Sequence, residues 1–455
     1  MFKTTKILTI KYLKSKIAPL AGLLLIIAGY FILAHQLPLY RKQYSLIIVL
    51  FFADLYLWSA LRKTIFSYKF WHKYLITFLF WLPLMMVAVL ITGSIFRPIQ
   101  DWNDVFRTYW IGFILVFYTA KMFPLFFLLI ADLWRVVRKV PVFLSKAQRK
   151  DIIEQEEGIS RSKFLQYMGY LSGGLVLGTM LTGMFKWVYD FNITHEKLHF
   201  DRLPKNFDGL RIVQISDLHL GTWTSAKPLE EAIKKITGLK PDLILFTGDL
   251  VNFTTKEAFR FEKTLKLIKA PMGVFVTLGN HDYGNYVSWP SKAAKQQNMN
   301  QLYALYKRLG WKLLNNRHVK LIRGNQQIAL VGSENWGAHL RFPKRGDLKK
   351  ATFGLEPKLF KLLMTHDPSH WNYVVIPENY DMDLTLSGHT HGFQFGVETK
   401  DFKWSPAQYM YKEWAGLYTD KASGRQIYVN RGLGSIGYPG RIGILPEITL
   451  LELKA

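Results

Sequence analysis

The sequence predicts a multi-span α-helical membrane domain, residues 1–186, followed by a layered α/β domain, residues 187–455. Three observations carry this reading. The first half contains several mostly apolar runs near the length of about 20 residues that crosses a bilayer as a helix. The second half breaks into short apolar runs separated by turns and amphipathic stretches, the pattern of strands alternating with helices. Five of those short runs end in Asp, Asn or His.

Composition narrows the field. A chain of 455 residues is too long for one ordinary core. With 49% apolar and 15% aromatic residues it is no disordered chain. It has no cysteine, which excludes disulfides, thiolate metal sites and cysteine nucleophiles. Any metal must therefore be held by His, Asp, Glu or Asn. The net charge of +26 is shared unevenly. Residues 1–189 carry 23 Lys and Arg against 8 Asp and Glu, and residues 190–455 carry 36 against 25. The first excess lies beside apolar spans and reports orientation. The second suits an anionic partner, either lipid headgroups or a phosphate-bearing substrate.

The spans follow in order. Ile17–Leu37 contains no charge, Tyr44–Leu61 is shorter, Tyr74–Phe96 is clean, and Tyr109–Leu133 is long enough to tilt. Phe164–Phe185 is the weakest of the five. Its pairs Gly169/Gly173 and Gly174/Gly178 have the four-residue spacing that lets helices approach closely in lipid. A removable signal peptide does not fit, because the first span is too long and others follow it.

Basic residues in short loops set orientation. Residues 1–16 hold five lysines and no acid, the loop 62–73 holds four basic residues, and 134–163 holds eight. Loops 38–43 and 97–108 hold two each, the latter offset by Asp101 and Asp104. A multi-pass protein of the cell membrane with a cytoplasmic N-terminus is expected, its second half outside the cytoplasm. Asp54 and Lys121 both lie deep within spans, where an unpaired charge is costly. They are read as a structural ion pair between the second and fourth spans.

The α/β half is entered through a polar-alternating segment before His199. Five strands then follow: Arg211–Ser216, Leu243–Thr247, Val274–Leu278, Lys361–Thr365 and Leu384–Ser387. They end respectively in Asp217 and His219, in Asp249, in Asn280, His281 and Asp282, in His366, and in His389 and His391. Helical patterns over Lys227–Leu239, Lys256–Lys269 and Asn300–Leu309 separate strands. In layered α/β proteins, ligand sites gather at the carboxyl ends of strands. Residues two apart at a strand end point to one side, as Asp217/His219 and His389/His391 would. Gly248, Gly279 and Gly388 allow the backbone to turn sharply beside them. Each fragment alone is commonplace. Five together, all on strand ends, are a specific signal.

From about Asp190 to Ala455 the sequence resembles the calcineurin-like metallophosphoesterases, on those five blocks. The closing stretch Ile427–Leu453, Ala415–Tyr418 and the multi-span half resemble that family's membrane-associated branch. Two departures stand out: Phe393 occupies a position usually held by glycine, and Asp282 one where Glu is frequent. The resemblance implies an α/β/β/α sandwich and two divalent transition-metal ions, Mn, Fe or Zn. Asp217, His219, Asp249 and His391 would hold one ion, and Asp249, Asn280, His366 and His389 the other. Mixed carboxylate and imidazole ligands suit such metals. A bridging water would lose its proton near neutral pH and act as nucleophile. His281 would protonate the leaving oxygen or steady its charge, with Asp282 fixing the tautomer. Arg431 and His370 are candidates for substrate contact.

The function expected is hydrolysis of a phosphate ester or pyrophosphate, on a lipid-linked or membrane-proximal substrate. Membrane lipids are the expected partner, and no aromatic–basic groove points to nucleic acid. Two alternatives stand beside it. One is a UDP-2,3-diacylglucosamine-type pyrophosphatase, whose substrate is normally cytoplasmic. The other is a transporter or receptor with a non-catalytic domain, which would be marked by lost metal ligands.

Overall fold

The computed structural model describes residues 27–32, 34–35, 44–144 and 161–455. The expected span Ile17–Leu37 and the basic residues 1–16 lie largely or wholly outside these. Among the described residues, four helices are long and apolar enough to cross a bilayer. They are α1 (Tyr44–Ser67), α2 (Phe70–Phe96), α3 (Asp104–Leu144) and α4 (Arg161–Phe185).

The chain divides into two compact units. One contains 1–102 and 113–177, the other 103–112 and 178–455. In the first unit Asp54 is fully buried. Its carboxylate accepts from Lys121 Nζ at 2.7 Å and from the Tyr118 hydroxyl at 2.9 Å. Lys121 also donates to the Phe80 carbonyl at 2.7 Å. The two charges therefore neutralise each other, as a structural pair should. Gly169 and Gly173 do permit close packing: a Cβ on either would stand 2.9 Å from Pro124. Among the described residues, nothing lies within 4 Å of a Cβ placed on Gly174 or Gly178.

The second unit contains two six-stranded mixed sheets. The first has the order β1 (Asn192–His199), β14 (Glu447–Lys454), β2 (Leu210–Ile215), β3 (Leu243–Phe246), β4 (Val274–Val276), β5 (Lys312–Leu313). The second has the order β12 (Gly416–Thr419), β13 (Gln426–Val429), β9 (Leu384–Ser387), β8 (Lys361–Met364), β7 (Gln326–Gly332), β6 (Arg317–Arg323). Neighbours β2, β3 and β4 run parallel, as do β7, β8 and β9.

Period-two alternation explains the layers. Ile212, Leu243, Leu245 and Phe275 of one sheet pack with Leu330, Leu362, Met364 and Leu386 of the other. The intervening residues Val213, Ile244, Phe246 and Val276 pack on helices α5 (Lys227–Gly238) and α6 (Lys292–Leu309). On the far side Val331, Leu363 and Val429 cluster with Leu348, Trp371 and Val375. Such burial on both faces reads in sequence as continuous apolar runs rather than alternation.

Two helices differ from expectation. The segment 256–269 forms two separate turns, Lys256–Phe259 and Glu262–Leu265. Between them Phe261 is fully buried with φ −102° and ψ 0°. Helix α6 begins eight residues earlier than the apolar pattern, because Ser291 caps it by accepting from the Ala294 amide at 3.1 Å.

Candidate metal centre

Strands β2, β3, β4, β8 and β9 end on one side, and the seven expected ligands stand there. Five of the seven adopt positive φ: Asp217, His219, Asp249, His389 and His391. Residues with a Cβ rarely enter that region, and such strain concentrates at functional sites. Neighbouring glycines make room. A Cβ on Gly388 would stand 1.8 Å from Ser216 Oγ and 2.4 Å from Asp217 Oδ2. One on Gly279 would stand 2.1 Å from Asp249 Oδ1.

The side chains form two adjoining groups, Asp217 with His219 and His391, and Asp249 with His366 and His389. Within each, one donor atom per residue lies within 4.8 Å of the others. His391 Nε2 is 3.2 Å from Asp217 Oδ1, and 3.1 Å from His219 Nε2. Asp249 Oδ2 lies 3.1 Å from His366 Nε2 and 3.5 Å from His219 Nε2, so this single oxygen faces both groups. Its other oxygen accepts from the His281 amide at 2.8 Å.

Backbone and side-chain partners behind the ligands aim them. His366 Nδ1 is tied to the Thr247 carbonyl at 2.8 Å, leaving Nε2 for the site. His389 Nε2 meets the Tyr411 hydroxyl at 2.8 Å and lies 3.4 Å from Asp367, leaving Nδ1 inward. Outer partners of this kind fix tautomer and orientation. Asn280 donates through Nδ2 to the Tyr286 hydroxyl at 2.8 Å. Its Oδ1 is buried with no hydrogen-bond partner among the described residues.

The donor set fits divalent ions. Imidazole nitrogens, carboxylates and an amide oxygen with no hydrogen-bond partner among the described residues converge here, a donor set that suits a divalent cation. Burial alone would raise the Asp217 carboxyl, but His391, His366 and His219 hold it well below the usual carboxylate range. Burial works to lower His366, yet the Asp249 and Asp217 carboxylates push it up to about 10.

Comparison with known proteins agrees with this geometry. Residues 210–393 match the calcineurin-like phosphoesterase family, and residues 40–187 match a probable calcineurin-like phosphoesterase transmembrane domain. An uncharacterized metallophosphoesterase of Bacillus subtilis, YkuE, is 31% identical over 65% of this chain and 98% of its own length. The chain belongs to the calcineurin-like phosphoesterase family. It is a membrane-linked metallophosphoesterase, and divalent metals are the cofactors of its family. Two further relatives are informative. The transmembrane protein with metallophosphoesterase domain of Danio rerio is 28% identical over 66% of this chain and 65% of its own length. The UDP-2,3-diacylglucosamine pyrophosphatase LpxG of Chlamydia trachomatis is 32% identical over 54% of this chain and 87% of its own length.

For this phosphoesterase the structure revises three expected roles. His281 Nδ1 is held by the Asn252 carbonyl at 2.7 Å, not by Asp282. Asp282 instead accepts from the amides of Asp249, Leu250 and Gly279, and so braces the loops that carry the ligands. Burial and the Asp249 carboxylate push Asp282 up to about 7. Arg431 is not available to substrate: its guanidinium is ion-paired with Glu447 at 2.6 Å and with Glu398. His370 is fully buried, meets Thr365 Oγ1 at 3.0 Å and stacks on Trp336, outside the residues lining the metal cavity.

That cavity, of about 520 Å³, is lined by His219, Asp249, Asn280, His281, His389 and His391. Arg341, Phe342, Tyr286 and Tyr411 line it too, and no pattern in the sequence pointed to them. They stand on loops rather than strand ends. Asn252 was equally hidden, since a backbone carbonyl leaves no signature in residue type.

Proposed function

We propose that this chain hydrolyses a phosphate ester or pyrophosphate on a lipid-linked or membrane-proximal substrate, using two transition-metal ions. The observation that carries the two-ion reading is Asp249 Oδ2, which faces an imidazole of each ligand group. Asp217, His219, Asp249 and His391 would hold one ion, and Asp249, Asn280, His366 and His389 the other. Ions bound there would supply Lewis acidity and a water activated near neutral pH.

The chain's own residues do the rest. The Asn252 carbonyl keeps the proton of His281 on Nδ1, so Nε2 is the atom presented to the cavity. From there it gives a proton to a leaving oxygen when the ring is the imidazolium. Tyr286 stacks on the His281 ring, 4.3 Å between centroids, and holds Asn280 at the same time. Arg341 brings a cation to the cavity, suited to a substrate phosphate. Purified full-length protein should hydrolyse a nitrophenyl phosphodiester. Chelation should stop the reaction and Mn, Fe or Zn should restore it. Turnover that survives exhaustive chelation would refute the proposal.

The relative named as a UDP-2,3-diacylglucosamine pyrophosphatase has a substrate with two acyl groups, which favours a lipid-linked phosphate here. A sugar-nucleotide pyrophosphate is the narrower alternative. Sidedness separates the two. The basic loops 62–73 and 134–163 support a phosphoesterase domain outside the cytoplasm, in a multi-pass protein of the cell membrane. A reporter active only outside the cytoplasm, fused after Ala455, should be on. It should turn off in Gly174→Arg, a position where no described residue lies within 4 Å of a Cβ. At roughly 2.5–3.5 kcal/mol for a central Arg, the weak α4 should then fail to cross. A silent native fusion would favour the cytoplasmic sugar-nucleotide substrate. The receptor reading has no support, because all seven ligand positions are occupied by metal-binding residue types.

A further inference from the structure

Next to the metal ligands the chain reverses the usual alternation. Phe393, Phe395 and Val397 face solvent while Gln394 and Gly396 are buried. Phe393 also has φ +53°, a strained conformation for a residue with a Cβ. The exposed strip continues across the hairpin of β10 (Val397–Glu398) and β11 (Lys403–Trp404) to Phe402, 57% exposed. Tyr409, 77% exposed, and Met410 extend it. Phe393 and Met410 line the metal cavity, so the apolar strip begins at its mouth. Large apolar side chains exposed together in this way mark an interaction site.

Hydrogen bonds within the same compact unit tie the strip to helix ends. The Ile442 amide donates to the Gln394 carbonyl at 2.7 Å, and the Gly396 amide donates back to Ile442 at 2.9 Å. The preceding residue, Arg441, donates from its amide to the Gly183 carbonyl at 3.2 Å, in the last turn of α4. Tyr438, which lines the cavity, donates its hydroxyl to the Met180 carbonyl. Pro439 abuts Gly112 near the start of α3: a Cβ there would stand 2.6 Å away. Both helices are apolar enough to span a bilayer. Two cations lie along the strip, Arg341 at the cavity and Lys400 in the hairpin turn beside the exposed Asp401. Basic residues at a membrane surface attract anionic headgroups.

We propose that this strip lies against the bilayer that holds the spans, setting the mouth of the metal cavity at headgroup level. A lipid phosphate then reaches the metals without leaving the membrane. The substrate route rests on the phosphoesterase reading; the docking does not.

The absence of cysteine makes the docking testable in the full chain. Single variants Phe402→Cys, Tyr409→Cys and Asn325→Cys would be labelled with a fluorophore, in nanodiscs whose acyl chains carry a doxyl quencher. Asn325 lies in the β6–β7 turn, at the strand ends opposite the metals. Penetration of about 5–10 Å should quench the labels at 402 and 409 by roughly half or more, and leave the one at 325 bright. Equal brightness at all three overturns the docking and passes the strip to a protein partner. The triple variant Phe395→Ser/Phe402→Ser/Tyr409→Ser should lower the ratio of long-chain lipid phosphate turnover to nitrophenyl ester turnover by about tenfold. An unchanged ratio overturns the lipid route. Wild-type protein inert on both substrates would overturn the phosphoesterase reading instead, with quenching still deciding the docking.

Discussion

Asp249→Ala is expected to strip both metals and cause the largest loss of activity of any single ligand change. Its Oδ2 lies 3.5 Å from His219 and 3.1 Å from His366, nearer to both than the 3.9 Å of Asp217 Oδ1, and its Oδ1 anchors the His281 amide. Removing it also takes away one of the carboxylates that balance the buried imidazoles. The loss should exceed the roughly 10–100-fold that accompanies removal of an outer partner of a metal ligand. Tyr411→Phe, which deletes the hydroxyl behind His389, serves as that reference. Elemental analysis and diester turnover, measured on both variants, check the order. An Asp249→Ala protein that keeps two ions per chain would show that the oxygen is not shared.

His281→Ala should keep its metals and still lose roughly 10²–10⁴-fold in rate. The backbone amide that donates to Asp249 survives the substitution, so the ligand cage stays intact. What disappears is the ring presenting Nε2 to the cavity. The loss should shrink for a nitrophenol leaving group, which leaves as an anion without help. It should be full for an alkyl phosphate, whose oxygen needs a proton. Equal losses for both would mean that His281 positions groups in the cavity without moving a proton.

The contrast between what the sequence displayed and what it hid has a physical basis. Strands β2, β3, β8 and β9 were legible because both their faces are buried, which compresses each into a short apolar run. The ligands were legible because each stands just past such a run, and Gly248, Gly279 and Gly388 tighten three of the five loops. Residues acting through backbone atoms were not. Asn252 holds His281 by its carbonyl, and Thr247 holds His366 in the same way. Tyr411 and Arg341 come from loops with no periodic signal. Arg431 misled for the opposite reason: an arginine near a ligand loop looks like a phosphate binder, but Glu447 and Glu398 take its charge. Asp282 follows His281 directly, and adjacency in sequence suggested a pairing that the turn geometry prevents. Its carboxylate points back to the amides of Gly279, Asp249 and Leu250.

The proposed hydrolysis requires two ions that share the carboxylate of Asp249. The most direct measurement is metal content by elemental analysis of full-length protein, purified in detergent without chelator and reloaded with Mn, Fe or Zn. Two ions per chain, falling together in Asp249→Ala, is the predicted result. A stoichiometry near zero after reloading, or one ion unaffected by loss of Asp249, would contradict it.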